Sequence, residues 1–254
     1  MDTDPGAYGA AFADVYDAWY EDVTDVPSTV DTLVRLAGGG NLLELGVGTG
    51  RIAVPVAERL AGRARIVGVD ASVEMLDSWR AKLQNNDRAR ERSVVVHGDM
   101  TTSFDYGPFS VVFCTFNTFF NLPTHDAQRT CLANAASTLA PGGAVVLEFA
   151  VFRDHSSDAA PAEMTETRTR RDGSVVTSTS RIDPSDFTAS GTFTDDAGHA
   201  RSWNIRWATP RMVEEMAATA GLVCTDRWED FSRTPIRDAS VRQVCVMRRR
   251  LVGT

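Results

Sequence analysis

Lysine is nearly missing from this chain: Lys82 is the only one, and arginine carries the rest of the positive charge. Net positive charge is missing too, with a formal charge of −8 and an isoelectric point near 5.0. An acidic chain repels a phosphate backbone, so no nucleic-acid partner is expected. Two arginine trios, Arg168/Arg170/Arg171 and Arg248/Arg249/Arg250, read as a solvated strand or loop and a frayed C-terminal tail. Only Cys114, Cys131, Cys224 and Cys245 are cysteines, and none stands in a Cys-x-x-Cys pair or a Cys/His cluster, so no metal is expected. Most lie in apolar or amphipathic runs, where a free thiol behaves as a small hydrophobe; that fits a reducing, cytoplasmic setting. No apolar run approaches the ~18 residues of a membrane span, so no membrane association is expected. The acidic first residues lack the basic and apolar regions of a signal peptide, and none is expected there.

What is present is a core and a rhythm. With 254 residues, 43% of them hydrophobic, the chain can form one large domain, or one domain with an insert. Ala11, Phe12, Val15 and Trp19 recur at helical steps, and a second helix is expected after Pro27-Ser28 with Ser28 as its cap. Short apolar strands then alternate with helices. Leu42–Leu45, Ile66–Val69, Val94–Val96, Ser110–Cys114 and Ala144–Phe149 read as strands; Val73–Leu83 and Asp126–Leu139 read as helices, with Pro141-Gly142-Gly143 as a turn. That alternation predicts an α/β fold with a mostly parallel sheet and right-handed crossovers. From Glu163 to Trp207 the pattern becomes polar and β-prone, with turn signals at Asp172-Gly173 and Ala197-Gly198; it reads as an antiparallel meander. The α/β rhythm resumes at Pro210. The expected division is an N-terminal helical lid (1–36), a core (37–158 and 208–254) and an antiparallel β insert (159–207) over the acceptor site. The meander's edge strands are where a homodimer could form.

Four strand ends carry chemistry. Glu44-Leu45-Gly46-Val47-Gly48-Thr49-Gly50 follows a buried strand and opens a helix. Its glycines admit close approach of a ligand, and the helix N-terminus offers free N–H groups. The spacing is G-x-G-x-G rather than the dinucleotide G-x-G-x-x-G, and the Glu44 carboxylate would repel a pyrophosphate and attract an ammonium. Asp70 ends the next strand, about twenty residues on, a spacing suited to holding ribose hydroxyls. Asp99, in Gly98-Asp99-Met100, could accept from an adenine amino group beside the apolar Met100. Thr115-Phe116-Asn117-Thr118 follows the fourth strand. In an open α/β sheet, ligands sit at the carboxyl ends of the strands.

Together with Val69-Asp70-Ala71-Ser72 and Leu139-Ala140-Pro141-Gly142-Gly143, these runs resemble the class I S-adenosylmethionine-dependent methyltransferases. The resemblance covers about Tyr8 to Phe149 and the last two strands. It implies a Rossmann-like, doubly wound seven-stranded sheet and S-adenosyl-L-methionine as cofactor. It implies the methionine end near Glu44, Gly46, Gly48 and Arg51, the ribose on Asp70, and the adenine near Ala71, Ser72, Met75, Asp99 and Met100, with Phe116 also at the site. Tyr8, Tyr16, Asp17 and Tyr20 resemble the helix that lids the cofactor in small-molecule members, with Tyr16 reaching the methionine carboxylate. The meander and the run Trp203–Pro210 are similar to bacterial amino-sugar N-methyltransferases of natural-product pathways. An Asn-Pro-Pro-Tyr-like motif is absent at Phe116-Asn117-Thr118, which counts against DNA as acceptor.

The acceptor is therefore expected to be a small molecule, an amine ahead of a hydroxyl or carbon acid. Glu148, Asn117 and His155 are the candidate catalytic residues; His125 and His199 are further candidate bases. Glu148 ends the fifth strand and is expected to face the site, Asn117 and Asn121 to orient the acceptor, and Trp203, Trp207 and Phe119 to wall it. A nicotinamide-dependent oxidoreductase fits worse, because the glycine spacing differs and the lone Lys82 makes no Tyr-x-x-x-Lys dyad. A non-catalytic nucleoside-binding module stays open at this point.

Overall fold

A computed structural model describes residues 4–21, 25–103, 105–152, 161–170 and 173–250. The helices are α1 (Ala7–Phe12), α2 (Tyr16–Trp19), α3 (Val26–Ala37), α4 (Ala53–Arg59), α5 (Val73–Gln84), α6 (Asp87–Arg92), α7 (His125–Ser137) and α8 (Pro210–Thr219). Strands β1 (Leu42–Leu45), β2 (Ile66–Asp70), β3 (Ser93–His97), β4 (Phe109–Cys114) and β5 (Leu139–Ala150) are parallel. A second, four-stranded antiparallel sheet follows: β6 (Ala162–Thr169), β7 (Val175–Asp183), β8 (Thr188–Asp195) and β9 (Ala200–Arg206). The chain then returns as β10 (Leu222–Trp228) and β11 (Arg242–Arg249); β11 runs antiparallel to both β5 and β10. The large sheet has seven strands in the order β10-β11-β5-β4-β1-β2-β3. This is the expected α/β architecture, with the strand order reversing between β1 and β4.

The inner strands are apolar on both faces because helices cover both. Alternate residues point to opposite sides. Leu43, Leu45, Val112, Cys114 and Val145 pack with Leu132 and Ala135 of α7 and Val213 and Met216 of α8. Their neighbours Leu42, Val111, Phe113 and Val146 pack with Val30 and Leu33 of α3, Val56 of α4, and Leu76 and Trp79 of α5.

Several local details differ from the sequence reading. Helix α3 begins at Val26, one turn ahead of the expected cap. Asp25 caps it, accepting the Ser28 N–H at 3.0 Å and the Ser28 hydroxyl at 2.6 Å. Pro27 stands in the first turn, where no N–H partner is needed. This helix packs in the core layer, with the Thr32 hydroxyl bonded to the Phe231 carbonyl at 2.8 Å; among the described residues of the stretch 1–36, those that line the cavity over the strand ends belong to α1, α2 and the segment just before α1. Pro141-Gly142-Gly143 lies inside β5, where Gly142 takes φ +75° beside a register shift between β4 and β5. The second arginine trio is no frayed tail at Arg248 and Arg249, which belong to β11. Arg249 donates to the Ala136 and Ser137 carbonyls at the end of α7, and Arg248 to the Gly142 carbonyl. Ala136 and Ser137 stand in the last turn of α7, where carbonyls lack the usual i+4 partners.

Trp79 is fully buried, and β2 receives it through Gly68. A Cβ at Gly68 would stand 2.5 and 2.6 Å from Trp79 ring carbons and 2.8 Å from Val47 Cγ2. Gly68→Ala is expected to destabilise the fold by about 1–3 kcal/mol through overpacking. A lower urea midpoint at unchanged m-value is the outcome to look for.

Candidate functional site

The carboxyl ends of β1, β2, β3 and β4 open on one cavity of about 520 Å³. Each strand end supplies part of its wall: Gly46 and Gly48 after β1, Asp70 and Ala71 after β2, Gly98–Thr101 after β3, and Thr118 and Asn121 after β4. Tyr8, Gly9 and Ala11 of α1 and Tyr16 of α2 roof it, and Ser202, Trp203 and Asn204 of β9 close the far side. Of the residues expected at the cofactor, Tyr8, Tyr16, Gly46, Gly48, Asp70, Ala71, Met75, Asp99 and Met100 line this one cavity.

Asp70 organises one end. Its Oδ2 accepts the Gly48 N–H at 2.7 Å and its Oδ1 accepts the Ser72 N–H at 2.9 Å. Ser72 in turn caps α5, its Oγ accepting the Met75 N–H at 3.2 Å. Burial pushes the Asp70 carboxyl up, while the N–H groups of Ser72 and Gly48 pull it down. Gly48 takes φ +57°, and a Cβ there would meet only the Met75 sulfur at 3.8 Å, so the space beside it is open. Asp99 accepts the Thr101 N–H at 2.7 Å, forming the turn that holds it at the end of β3.

Glu44, Arg51 and Phe116 gather behind the other end, outside the cavity wall itself. Glu44 is 2% exposed, and its Oε2 has no hydrogen-bond partner; Nε and Nη1 of Arg51 are likewise buried without one. Burial holds the Glu44 carboxyl well above the usual carboxylate range, against a lowering pull from Arg51. The Arg51 guanidinium lies 5.4 Å from the centre of the Phe116 ring and beside the Tyr16 hydroxyl, whose own pKa burial raises. Phe116 takes φ +56°, a strained turn for a bulky residue. Its N–H is fixed by Glu148 Oε2 at 3.0 Å, and its ring meets Tyr20 edge-on at 5.2 Å.

The lid is tied down from two sides. Lys82 of α5 reaches Asp17 of α2 at 2.5 Å and donates to the Thr49 hydroxyl at 3.1 Å, while that hydroxyl bonds Asp17 at 2.6 Å. From the meander, Arg201 grips Asp14 with two bonds of 2.9 and 2.8 Å, and Arg170 reaches the Ala18 carbonyl. Both guanidiniums flank the Trp19 ring, at 5.6 and 5.8 Å. Gly9 permits the contact of α1 with α5, since a Cβ there would lie 2.3 Å from Ser72 Cβ.

Of the expected catalytic trio, the two described members, Glu148 and Asn117, do not line this cavity. Glu148 alternates with Leu147 and Phe149 along β5, so its carboxyl falls on the opposite face of the sheet. There it lines a separate cavity of about 170 Å³ with Asp25, Asp230 and Arg242. Asn117 takes φ +62° and spends its Oδ1 on the Ala150 N–H at 2.5 Å, so it ties β4 to β5. His155 lies outside the described residues. His125 bonds the Trp207 carbonyl at 3.1 Å, and His199 pairs with Asp195 on the surface. Phe119 and Trp207 are core residues at 0% exposure, whereas Trp203 does line the cavity. Sequence reasoning missed Thr118 as the partner that demands a glycine at Gly46: a Cβ there would be 2.1 Å from Thr118 Cγ2. It also missed Ser202 and Asn204, since nothing local distinguishes them from other meander residues. Asp17 and Lys82, 65 residues apart in sequence but adjacent in space, carry no motif that joins them.

Residues 42–143 match the family described as Methyltransferase domain. The chain is 32% identical to the methyltransferase CcbJ of Streptomyces caelestis, covering 97% of this chain and 99% of that one at a TM-score of 0.86. CalS10, an amino pentose methyltransferase from Micromonospora echinaspora involved in calicheamicin biosynthesis, shares the fold at 22% identity and TM-score 0.63, over 94% and 95% of the two chains. A Geobacter protein (strain M21), the ubiquinone/menaquinone biosynthesis C-methyltransferase UbiE, is 28% identical over 83 residues; the match spans 33% of this chain and 35% of that protein. No helix among the described residues is long and apolar enough to cross a membrane. With strand ends converging on a nucleoside-sized cavity and a full-length likeness at this identity, the chain belongs to the S-adenosylmethionine-dependent methyltransferases.

Proposed function

We propose that this chain methylates the nitrogen of a small amine, in the manner of the sugar-modifying enzymes it resembles, within a natural-product pathway. The observation that supports this placement of the cofactor is that Glu44 Oε2 and Arg51 Nε and Nη1 are buried without hydrogen-bond partners. Unpartnered buried charge is costly unless a ligand completes it. A carboxylate and a guanidinium side by side fit the ammonium and carboxylate of one amino acid. At the opposite end, Asp70 keeps lone pairs beyond those facing Gly48 and Ser72, enough to accept two ribose hydroxyls. Ala71, Met75, Asp99 and Met100 would surround the adenine. When bound, S-adenosylmethionine supplies a methyl group on a sulfonium whose sulfur leaves neutral, so no general acid is required.

The chain's own contribution is positioning and exclusion of water. Tyr8 and Tyr16, with their hydroxyls held protonated by burial, would close the roof over the reacting atoms. Asn121, Trp203 and Asn204 would bound the acceptor. Among the described candidate bases, Glu148, His125 and His199 all stand off the cavity. An amine needs only to shed a proton after attack, whereas a hydroxyl or carbon acid benefits from a base at hand; this favours nitrogen. A screen of amines, phenols and carbon acids with methyl-labelled cofactor tests the reading. Turnover of phenols or carbon acids alone would overturn it.

Calorimetric titration with S-adenosylmethionine should show Asp70→Asn binding about 10- to 100-fold more weakly, since hydrogen bonds to a charged group are worth about 1.5–3 kcal/mol. Gly48→Val should bind more weakly still, its side chain filling the space beside Met75. Full affinity in both variants would place the cofactor elsewhere. A second expectation concerns protons. Free Glu44 keeps its proton above the usual carboxylate range, and a bound cation favours the ionised form. Binding should therefore release a proton, and affinity should rise with pH through that raised pKa. Titration in two buffers of different ionisation enthalpy reads the release, which Glu44→Gln should abolish. Third, Lys82→Met removes a half-exposed ion pair to the lid and should weaken cofactor affinity by roughly fivefold, in line with about 1 kcal/mol for such pairs. The loss should be the same sign in Asp17→Asn and not additive with it in the double variant.

A further inference from the structure

Phe116 and Asn117 stand side by side in left-handed backbone, at φ +56° and +62°, and neither is a glycine. Two such residues in a row persist only where the surroundings over-determine them. Here β5 supplies three bonds. Glu148 Oε2 accepts the Phe116 N–H at 3.0 Å, the Glu148 carbonyl accepts the Asn117 N–H at 3.3 Å, and the Ala150 N–H donates to Asn117 Oδ1 at 2.5 Å. Two of these three bonds need a particular side chain. Glu148 is 4% exposed, and its Oε1 lies 3.9 Å from Arg242 Nη1. A carboxyl buried to that depth is costly unless bonded, and the one hydrogen bond its side chain makes among the described residues is the bond to Phe116.

What the turn carries explains the expense. The Phe116 ring sits 5.4 Å from the Arg51 guanidinium and meets Tyr20 edge-on at 5.2 Å. Thr118 opens the 3-10 turn Thr118–Asn121, and its Cγ2 fills the space that a Cβ on Gly46 would take. Thr118 and Gly46 are both cavity wall. The turn therefore packs against Arg51 and Gly46 from behind. Asp70, at the other end of the cavity, is held instead by the Gly48 and Ser72 N–H groups. A change in the turn should reach one end of the cavity and spare the other.

We propose that Glu148 and Asn117 are positioning residues of the cofactor site: from β5 they clamp the turn, so that Phe116 and Thr118 hold Arg51 and Gly46 against the methionine end of S-adenosylmethionine. This rests on the placement of that end beside Glu44 and Arg51 given under the proposed function. Neither residue touches the cofactor; each acts through the backbone it holds.

Hydrogen exchange of the full chain, read by mass spectrometry, tests the clamp directly. The segment Phe116–Asn121 should exchange at least tenfold faster in Glu148→Leu than in the native protein. It should exchange at the native rate in Glu148→Gln, whose side-chain carbonyl can still accept the Phe116 N–H. Calorimetric titration with two probes reads the consequence. S-adenosylmethionine should bind Glu148→Leu at least tenfold more weakly than native, and Glu148→Gln within threefold of native. Adenosine, which lacks the methionine end, should bind all three alike. Asn117→Ala, which loses the Ala150 bond, should follow Glu148→Leu. Phe116→Gly removes the ring and the strain together, so adding Glu148→Leu to it should weaken binding less than twofold further. Circular dichroism checks that each variant folds, and Glu148→Ala, which crowds nothing, carries the same expectations as Glu148→Leu. Native affinity in Glu148→Leu, an equal loss in Glu148→Gln, an equal loss for adenosine, or additive losses with Phe116→Gly would each overturn the proposal. Arg51→Met separates it from the reading beneath it. Weaker S-adenosylmethionine binding there, with none lost in Glu148→Leu, sinks the clamp alone. Undiminished binding in Arg51→Met removes the methionine end from this corner, and the proposal with it.

Discussion

The carboxylate of Asp70 holds N–H groups from two different elements: Gly48 in the loop after β1 and Ser72 at the head of α5. That double acceptance locks the glycine loop to the neighbouring strand end, and through the Ser72 cap it sets the axis of α5. Helix α5 then supplies Met75 to the cavity wall, Trp79 to the core and Lys82 to the lid. Three faces of one helix thus line the cavity, fill the core and tie down α2, and all three take their register from one carboxyl group at the tip of β2.

Around that anchor the molecule separates its charges by role. Glu44 Oε2 and Arg51 Nε and Nη1 are buried without hydrogen-bond partners. The half-exposed pairs, Asp17 with Lys82 and Asp14 with Arg201, join α1 and α2 to the core and to the meander. Pairs of the second kind are individually weak and screened by salt. Glu148 belongs to neither class. It reaches through the sheet edge to hold the N–H of Phe116, and so supports a strained turn from the face away from the cavity. A residue in that position shapes the site without touching what binds there.

Much of the cavity wall was legible because it is built from short stretches of chain at strand ends. Gly46, Gly48, Asp70 and Asp99 are each placed by the strand immediately before them, and in a parallel sheet every such end lies on one edge. The acceptor side was not legible in the same way. Glu148 looked like a site residue because it stands near a strand end, but the two-residue period of β5 turns it to the other face. Asn117 looked free, yet its side chain replaces a missing ladder bond at Ala150. The helical stretch 1–36 read as one lid because periodicity reports amphipathicity and not the surface that each apolar stripe meets.

Sequence alone determined the α/β alternation, the glycine loop and the carboxylates that follow the first three strands. Those features follow from hydrophobic period, turn chemistry and nearest-neighbour connection, all of which are local. Tertiary structure alone decided that Lys82 meets Asp17, that Arg170 and Arg201 enclose Trp19, and that Trp203 rather than Trp207 faces the cavity. Those pairings join segments from 65 to some 180 residues apart, and their partners are chosen by how the meander and the lid fold back over the strand ends, which no local pattern encodes.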